Sequence, residues 1–293
     1  MNGWIIVDKP LGLSSAQAVA AVKRLARQTG AGKLKVGHGG TLDPLATGVL
    51  PIALGEATKL TGRLLTGDKA YDFTLRFGTA TSTDDAEGHV IETSDVRPGA
   101  AEVEALLPGF CGRIRQRPPA YSALKIDGER AYARARAGAA VLLPEREVTI
   151  HALVLLGIDG PDARFAVRCS KGTYVRSLAR DLAGALGSAG HVAALRRTAA
   201  GPFRLGDAIG LDKLAEIAMQ RGLAAVVLPL TTGLDDIPAL AVDPDEAERL
   251  RSGQTLGGRP EPDGPYVAMR GDVPIALVGI DAGTVRVARG FNL

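Results

Sequence analysis

The chain is poor in aromatic residues, poorer still in cysteine, and has no long apolar run. Only 4% of its 293 residues are Phe, Trp or Tyr, so each ring is worth locating. Two cysteines, Cys111 and Cys169, supply neither a disulfide framework nor the spacing of a thiolate metal site, and they fit a reducing compartment. The four histidines, His38, His89, His151 and His191, lie far apart without ligand spacing, so no metal is expected. A phosphate-binding glycine loop followed by Lys-Ser or Lys-Thr is missing, which argues against a free nucleotide cofactor. No stretch approaches the roughly 18 apolar residues of a membrane span. Asp8 and Lys9 cut the first apolar run too early for a signal peptide. A soluble, cytoplasmic protein without cofactors is expected.

Net charge is also small, +3, too little to announce a nucleic-acid partner by itself. Its distribution says more. Residues 113–136 carry Arg113, Arg115, Arg117, Lys125, Arg130, Arg134 and Arg136 against Asp127 and Glu129, a balance of +5. Residues 82–108 carry Asp84, Asp85, Glu87, Glu92, Asp95, Glu102 and Glu104 against Arg97, a balance of −6. Charge alone leaves two readings open: both stretches are solvated faces, or the basic one grips phosphates.

Hydrophobic residues make up 46% of the chain, enough for a sizeable core. Trp4–Val7 reads as a short buried strand. Ser14 or Ser15 can cap a helix with Val19, Val22, Leu25 and Ala26 on its apolar face, stopped at Gly30. Pro44 and Gly48 suggest the start and stop of a short helix. Tyr71, Phe73, Leu75 and Phe77 alternate with polar residues as in a half-buried strand, and 78–100 reads as loop. A short helix is expected over Glu102–Leu107, and strands over Val148–Leu156 and from Ala163 to Cys169. Thr173 can cap a helix carrying Val175, Leu178, Leu182 and Leu186. Strands and helices mix without a βαβ rhythm, so the expected class is α+β with a mixed, largely antiparallel sheet. Ile237-Pro238 is a plausible linker. Beyond it stand a helix from about Pro244 to Arg251 and β-like runs at Pro265–Met269, Pro274–Ile280 and Thr284–Ala288. The division is therefore a large unit over 1–236 and a small β-rich unit over 237–293.

Three segments can carry chemistry. In the first, Lys35–Lys59, glycines 37, 39 and 40 allow close backbone approach to a ligand, and the ionisable His38 and Asp43 bracket that turn. Asp43 before Pro44 also reads simply as a helix N-cap. In the second, Cys169–Gly184, Tyr174 and Arg176 open a helix beside a sharp turn; alternatively they are a core tyrosine and a surface arginine. The third is Tyr71, which composition alone leaves as an ordinary sheet tyrosine.

Taken together these segments resemble the bacterial tRNA pseudouridine-55 synthases, the TruB family. The resemblance rests on VDKPLGLSS (Val7–Ser15), GHGGTLDPLATGVLPIALGEATK, DKAYDFTLRFGTATSTDDAEG (Asp68–Gly88), PPAYSALKIDGERAYARARAG (Pro118–Gly138), CSKGTYVRSLARDLAGALG and HVAALRRTAAGPF (His191–Phe203), in the family's order. It implies a pseudouridine synthase fold with an RNA-gripping insertion at about 113–147 and a PUA-like RNA-binding domain over 237–293. It implies catalysis by Asp43, with Tyr71 stacking on the base and Arg176 holding the carboxylate ionised by bidentate pairing. His38, Tyr174, Leu195 and Lys9 would meet the substrate. Arg113, Arg115, Lys125, Arg130 and Arg134 would meet the RNA backbone. The implied partner is tRNA, through its T-arm and, by the C-terminal domain, toward its acceptor end.

One departure is visible: Gly39 stands where the family commonly has threonine. Three other classes fit the sequence less well. A non-catalytic RNA-binding protein would not need Asp43, Tyr71 and Arg176 together. A synthase of a guide-RNA particle would not need the basic insertion. A carboxylate-dependent hydrolase would want a second acid near Asp43, for which only Glu56 offers itself.

Overall fold

The computed structural model describes residues 1–122, 124–126, 129–130, 134 and 143–293. In chain order the main elements are β1 (Gly3–Lys9), α1 (Ser15–Gln28), β2 (Ala46–Leu54), α2 (Thr61–Thr66), β3 (Lys69–Phe77), α3 (Ala100–Leu106), β4 (Gly112–Gln116), β5 (Arg146–Asp159), β6 (Asp162–Cys169), α4 (Val175–Ala185), β7 (Gly190–Ala200) and α5 (Leu211–Arg221). Among the described residues the main sheet has the order Ile209–Gly210, β1, β2, β7, β3, β6, β5, β4. Two of these pairings are parallel, Ile209–Gly210 with β1 and β2 with β7. The rest of that path is antiparallel, so the α+β class with a largely antiparallel sheet is what forms.

The local rules explain most elements. Ser14 caps α1, its side chain accepting from the Gln17 N–H, and Ala18, Val22, Leu25 and Ala26 are buried beneath. On one face of the sheet α4 and α3 cover Phe73, Leu75, Phe77 and Phe165, where Phe73 and Phe165 stack at 5.1 Å. α1 and α5 cover Ile5, Val7, Leu50 and Ile52. The opposite face of β1 and β2 is closed by Phe203, Leu230 and Leu234 around Trp4.

Three expectations are corrected. No helix begins at Pro44: residues 44–45 form a turn and the chain enters β2 at Ala46. The run Ala46–Leu54 is paired on both sides, to β1 and to β7, and buried almost throughout; such a run has no amphipathic period to distinguish strand from helix. Residues 78–100 are not all loop, since Thr79–Thr81 pairs with Val90–Thr93. Thr173 is not the cap of α4; that position is Tyr174, and the Thr173 hydroxyl instead donates to Ser170 O at 3.0 Å.

The C-terminal unit is a separate small sheet: β8 (Ala239–Ala241), then β9 (Gly264–Arg270), β10 (Val273–Asp281) and β11 (Thr284–Gly290) in that spatial order, with α6 (Pro244–Arg251) against it. It has its own core of Leu240, Ala247, Leu250, Ile275, Val278 and Val285. Val267 and Phe291 pack into the cluster around Trp4 and Ile237, and Lys59 Nζ donates to Gly290 O at 2.9 Å.

Candidate active site

The backbone on either side of Asp43 is held by three buried side chains. Ser15 Oγ accepts from the Leu42 N–H at 2.8 Å and donates to Leu42 O at 3.0 Å. Lys9 Nζ donates to Pro44 O at 3.3 Å, and also to Leu13 O at 2.6 Å and Pro10 O at 2.9 Å. Arg197, 1% exposed, donates from Nε to Val49 O at 2.8 Å, from Nη1 to Thr41 O at 3.2 Å and from Nη2 to Gly40 O at 3.2 Å. Ala46 N–H closes the turn on Asp43 O at 3.0 Å. Residues 40–44 are therefore fixed in place while the Asp43 carboxylate stays 47% exposed. With no helix behind it, Asp43 is not an N-cap. Gly48 permits this arrangement: its φ is +99°, and a Cβ there would lie 2.2 Å from Arg197 O.

Arg176, in the first turn of α4, reaches the carboxylate. Its Nη2 lies 3.0 Å from Asp43 Oδ2 and also donates to Tyr121 O at 3.0 Å. Nη1 lies 3.1 Å from Asp85 Oδ2 and donates to Thr83 O at 3.0 Å. The expected bidentate grip on Asp43 is thus corrected. The guanidinium fork is divided between two carboxylates, and the more buried one, Asp85 at 9% exposed, anchors it. The acidic stretch is likewise not wholly a solvated face. Asp84, at φ 60°, pairs with Arg180 at 3.0 Å, and burial pushes its carboxyl above the usual range against the pull of Arg180 and Arg176.

Around Asp43 a cavity of about 310 Å³ is lined by Tyr71, Tyr174, Arg176, Leu195, Lys69 and Arg197, among others. Tyr71 projects from β3; burial pushes its phenol above the ordinary value, with Arg197 opposing, so it is protonated at neutral pH. Gln116 fixes Tyr174: its Oε1 accepts from the Tyr174 N–H at 2.7 Å and its Nε2 donates to Tyr174 O at 3.0 Å. The Arg146 guanidinium lies over the Tyr174 ring at 4.6 Å. Lys69 Nζ is committed to the carbonyls of Leu64, Leu65 and Gly67, and burial lowers it to about 8. Cys169, also on the lining, is raised to about 11 by burial.

The structure therefore gathers Asp43, Tyr71, Arg176, Tyr174 and Leu195 around one cavity, and among the described candidates it leaves Lys9, His38, Arg113, Arg115 and Arg134 off the lining. Lys9 is corrected from a substrate contact: it is fully buried, and its ammonium serves the three carbonyls named above. His38 ends the short strand Val36–His38 opposite Ile52. Burial and Arg197 lower its pKa, and Gly40 partly restores it, so the ring is neutral. Arg113 and Arg115 lie exposed on β4 at the sheet edge, with Arg113 3.9 Å from Glu147. The side chains of Lys125 and Arg130 fall outside what is described, as does all of Arg136; Arg134 is described but does not line the cavity. Among the described residues no group of three or more His, Cys, Asp or Glu could hold a metal ion. No helix there is long and apolar enough to cross a membrane.

Sequence reading missed Arg197, Asp85, Lys69 and Arg146. Arg197, Lys69 and Asp85 lie inside quoted segments, but a cation aimed at carbonyls, or an acid aimed at a buried guanidinium, has no pattern of its own. Gly39, the departure from the family, is explained by packing: a Cβ there would stand 2.5 Å from Leu64 Cδ1.

The TruB family pseudouridylate synthase N-terminal domain matches residues 23–175, and the tRNA pseudouridylate synthase B C-terminal domain matches 176–235. The tRNA pseudouridine synthase B of Novosphingobium aromaticivorans is 57% identical over 100% of this chain and 98% of its own. That of Zymomonas mobilis is 54% identical over 100% and 96%. Among solved structures, a Cbf5-Nop10-Gar1 complex superposes with TM-score 0.73 at 26% identity, covering 94% of this chain and 78% of that one. An H/ACA RNP bound to a substrate RNA containing 2'-deoxyuridine shares the fold, with TM-score 0.75 at 23% identity over 99% and 85%. The chain belongs to the TruB family of pseudouridylate synthases.

Proposed function

We propose that this protein isomerises uridine 55 in the T-loop of tRNA to pseudouridine, in the cytoplasm, with Asp43 as the reacting carboxylate. The observation that carries the reading is the Arg176–Asp43 contact of 3.0 Å at the edge of a cavity that also holds Tyr71. The reaction detaches uracil from its ribose at N1, turns the base, and rejoins it through C5. The base must first leave the stack of the folded loop. Stacking on Tyr71 offsets part of that cost, about 1–3 kcal/mol per base. His38 fills the space the nucleotide vacates, and Leu195 and Tyr174 bound the pocket. Asp43 starts glycosidic cleavage, and it must be ionised to do so. Arg176 supplies the positive charge that keeps it so, while Asp85 and two carbonyls keep the guanidinium from turning away. The Tyr71 phenol, protonated at neutral pH, is available to move a proton at C5 or the ribose.

The unit over 1–236 is the catalytic part in this proposal. Arg113, Arg115, Lys125, Arg130 and Arg134 grip the T-arm backbone, and the PUA-like unit over 237–293 lies toward the acceptor end. The test is to incubate the protein alone with unmodified tRNA and map pseudouridine by position. One new pseudouridine at T-loop position 55, formed without a guide RNA, is expected. Its absence, or modification elsewhere, overturns the proposal.

A further inference from the structure

Among the described residues four cations line the cavity: Lys69, Arg146, Arg176 and Arg197. Three are fully committed to the protein. Lys69 serves three carbonyls, Arg197 serves three, and Arg176 serves two carboxylates and two carbonyls. Arg146 differs. Among the described residues its guanidinium meets the carbonyl of Gly172 and the face of Tyr174, and no carboxylate pairs with it. Its Nε is buried without a partner. A charge held at a cavity wall by a ring and one carbonyl is oriented but not neutralised, whereas a structural arginine in a partly buried position ordinarily has an acid opposite.

The support beneath Arg146 is rigid. Gln116, 1% exposed, fixes the Tyr174 backbone from which the ring that carries the guanidinium projects. Gly172, φ +81°, comes close to the guanidinium: a Cβ there would stand 3.6 Å from Arg146 Cζ. Loop, ring and cation form one part of the lining of the cavity that also holds Leu195 and Asp43.

Resting on the reading of this cavity as a nucleotide-isomerising site, we infer that Arg146 binds a backbone phosphate adjoining the flipped nucleotide, using Tyr174 as its platform. A nucleotide that swings into the cavity brings its flanking phosphates to the mouth, and among the described lining residues Arg146 is the cation with charge and donors left for one. Guanidinium geometry suits a phosphate better than a single carbonyl oxygen. The contact holds the nucleotide in the extruded state. It does not act on the reacting bond.

The test pairs Arg146→Gln with a T-arm RNA in which the phosphate on one side of the target uridine is a neutral methylphosphonate, made separately for the 5′ and 3′ positions. With the parent protein, one of the two neutral linkages should lower kcat/KM about tenfold or more, as loss of a charge-assisted contact does. With Arg146→Gln the same linkage should cost less than about twofold, because the partner is already gone. Arg146→Lys should recover part of the loss on native RNA. The proposal is overturned if neither neutral linkage affects the parent, a result that needs no variant to fold. It is equally overturned if linkage and Arg146→Gln act additively. A parent protein that forms no pseudouridine on native RNA refutes instead the function on which this inference rests.

Discussion

Arg176→Lys isolates what the divided guanidinium contributes. Arginine spans Asp43, Asp85 and the carbonyls of Thr83 and Tyr121 from one plane, at 3.0 to 3.1 Å. An ammonium keeps the charge but has one heavy atom, and it cannot meet both carboxylates and both carbonyls. Asp85 is the more buried partner, so the lysine will settle there and leave Asp43. The stability loss then comes mainly from the unmet carbonyls and one weakened charged contact, about 1–3 kcal/mol. The rate loss is larger in proportion, because Asp43 is 47% exposed and keeps water but loses its orientation. Misplacement of a reacting group by about 1 Å costs on the order of 10²-fold. Single-turnover pseudouridine formation at saturating tRNA should therefore fall about 10²-fold, with tRNA affinity changed less than about threefold and a modest drop in Tm. A variant with near-parent rate would refute the view that the Arg176–Asp43 contact organises the site. An equal loss of rate and affinity would move Arg176 from the chemistry to RNA binding.

Arg197→Lys should reach at most two of the three carbonyls on Gly40, Thr41 and Val49, loosening the Asp43 turn; kcat should fall about tenfold while KM holds, read by steady-state kinetics. Gly39→Thr should cost about 1–3 kcal/mol by overpacking on Leu64. Leu64→Ala alone should cost about 2–5 kcal/mol. In urea unfolding the double variant should be more stable than the sum of the two predicts, and strict additivity would contradict the packing. Lys69 titrates near 8 in the fold against 10.5 in the open chain, so the unfolded state holds the extra proton above pH 8. Stability from this group therefore rises with pH, by up to about 1.4 kcal/mol per unit. Cys169, raised from 9.0 to about 11, works in the opposite sense above pH 9. The clean window is pH 8 to 9, where Lys69→Met should flatten the slope measured by denaturant unfolding.

Elements with a one-sided apolar pattern were legible in the sequence. β3, β6, α1 and α6 stand close to where alternation, the Ser14 cap and Pro244 put them. β2 was not, because burial on both faces erases the period and Asp-Pro mimics a helix start. Asp43, Tyr71 and Arg176 were joined as a set by the resemblance of their segments to the family, and they do meet at one cavity, but the division of Arg176 was not legible. That depends on Asp85, which composition places in an acidic run and folding places against a buried guanidinium. Arg197 and Lys9 escaped for one reason: their partners are backbone carbonyls, and any sequence offers those. The charge pattern misled in the same way, since Asp84 and Asp85 serve the site and only part of that stretch is a solvated face.

The central claim is that Asp43 is the reacting group and not a structural one. Asp43→Asn is nearly isosteric, keeps an oxygen for Arg176, and faces a turn whose fixing bonds come from Ser15, Lys9 and Arg197 and not from its own side chain. Pseudouridine in T-loop position 55 of unmodified tRNA should be undetectable with this variant under single-turnover conditions, while its Tm and tRNA affinity match the parent. Pseudouridine formed at near-parent rate would contradict the account.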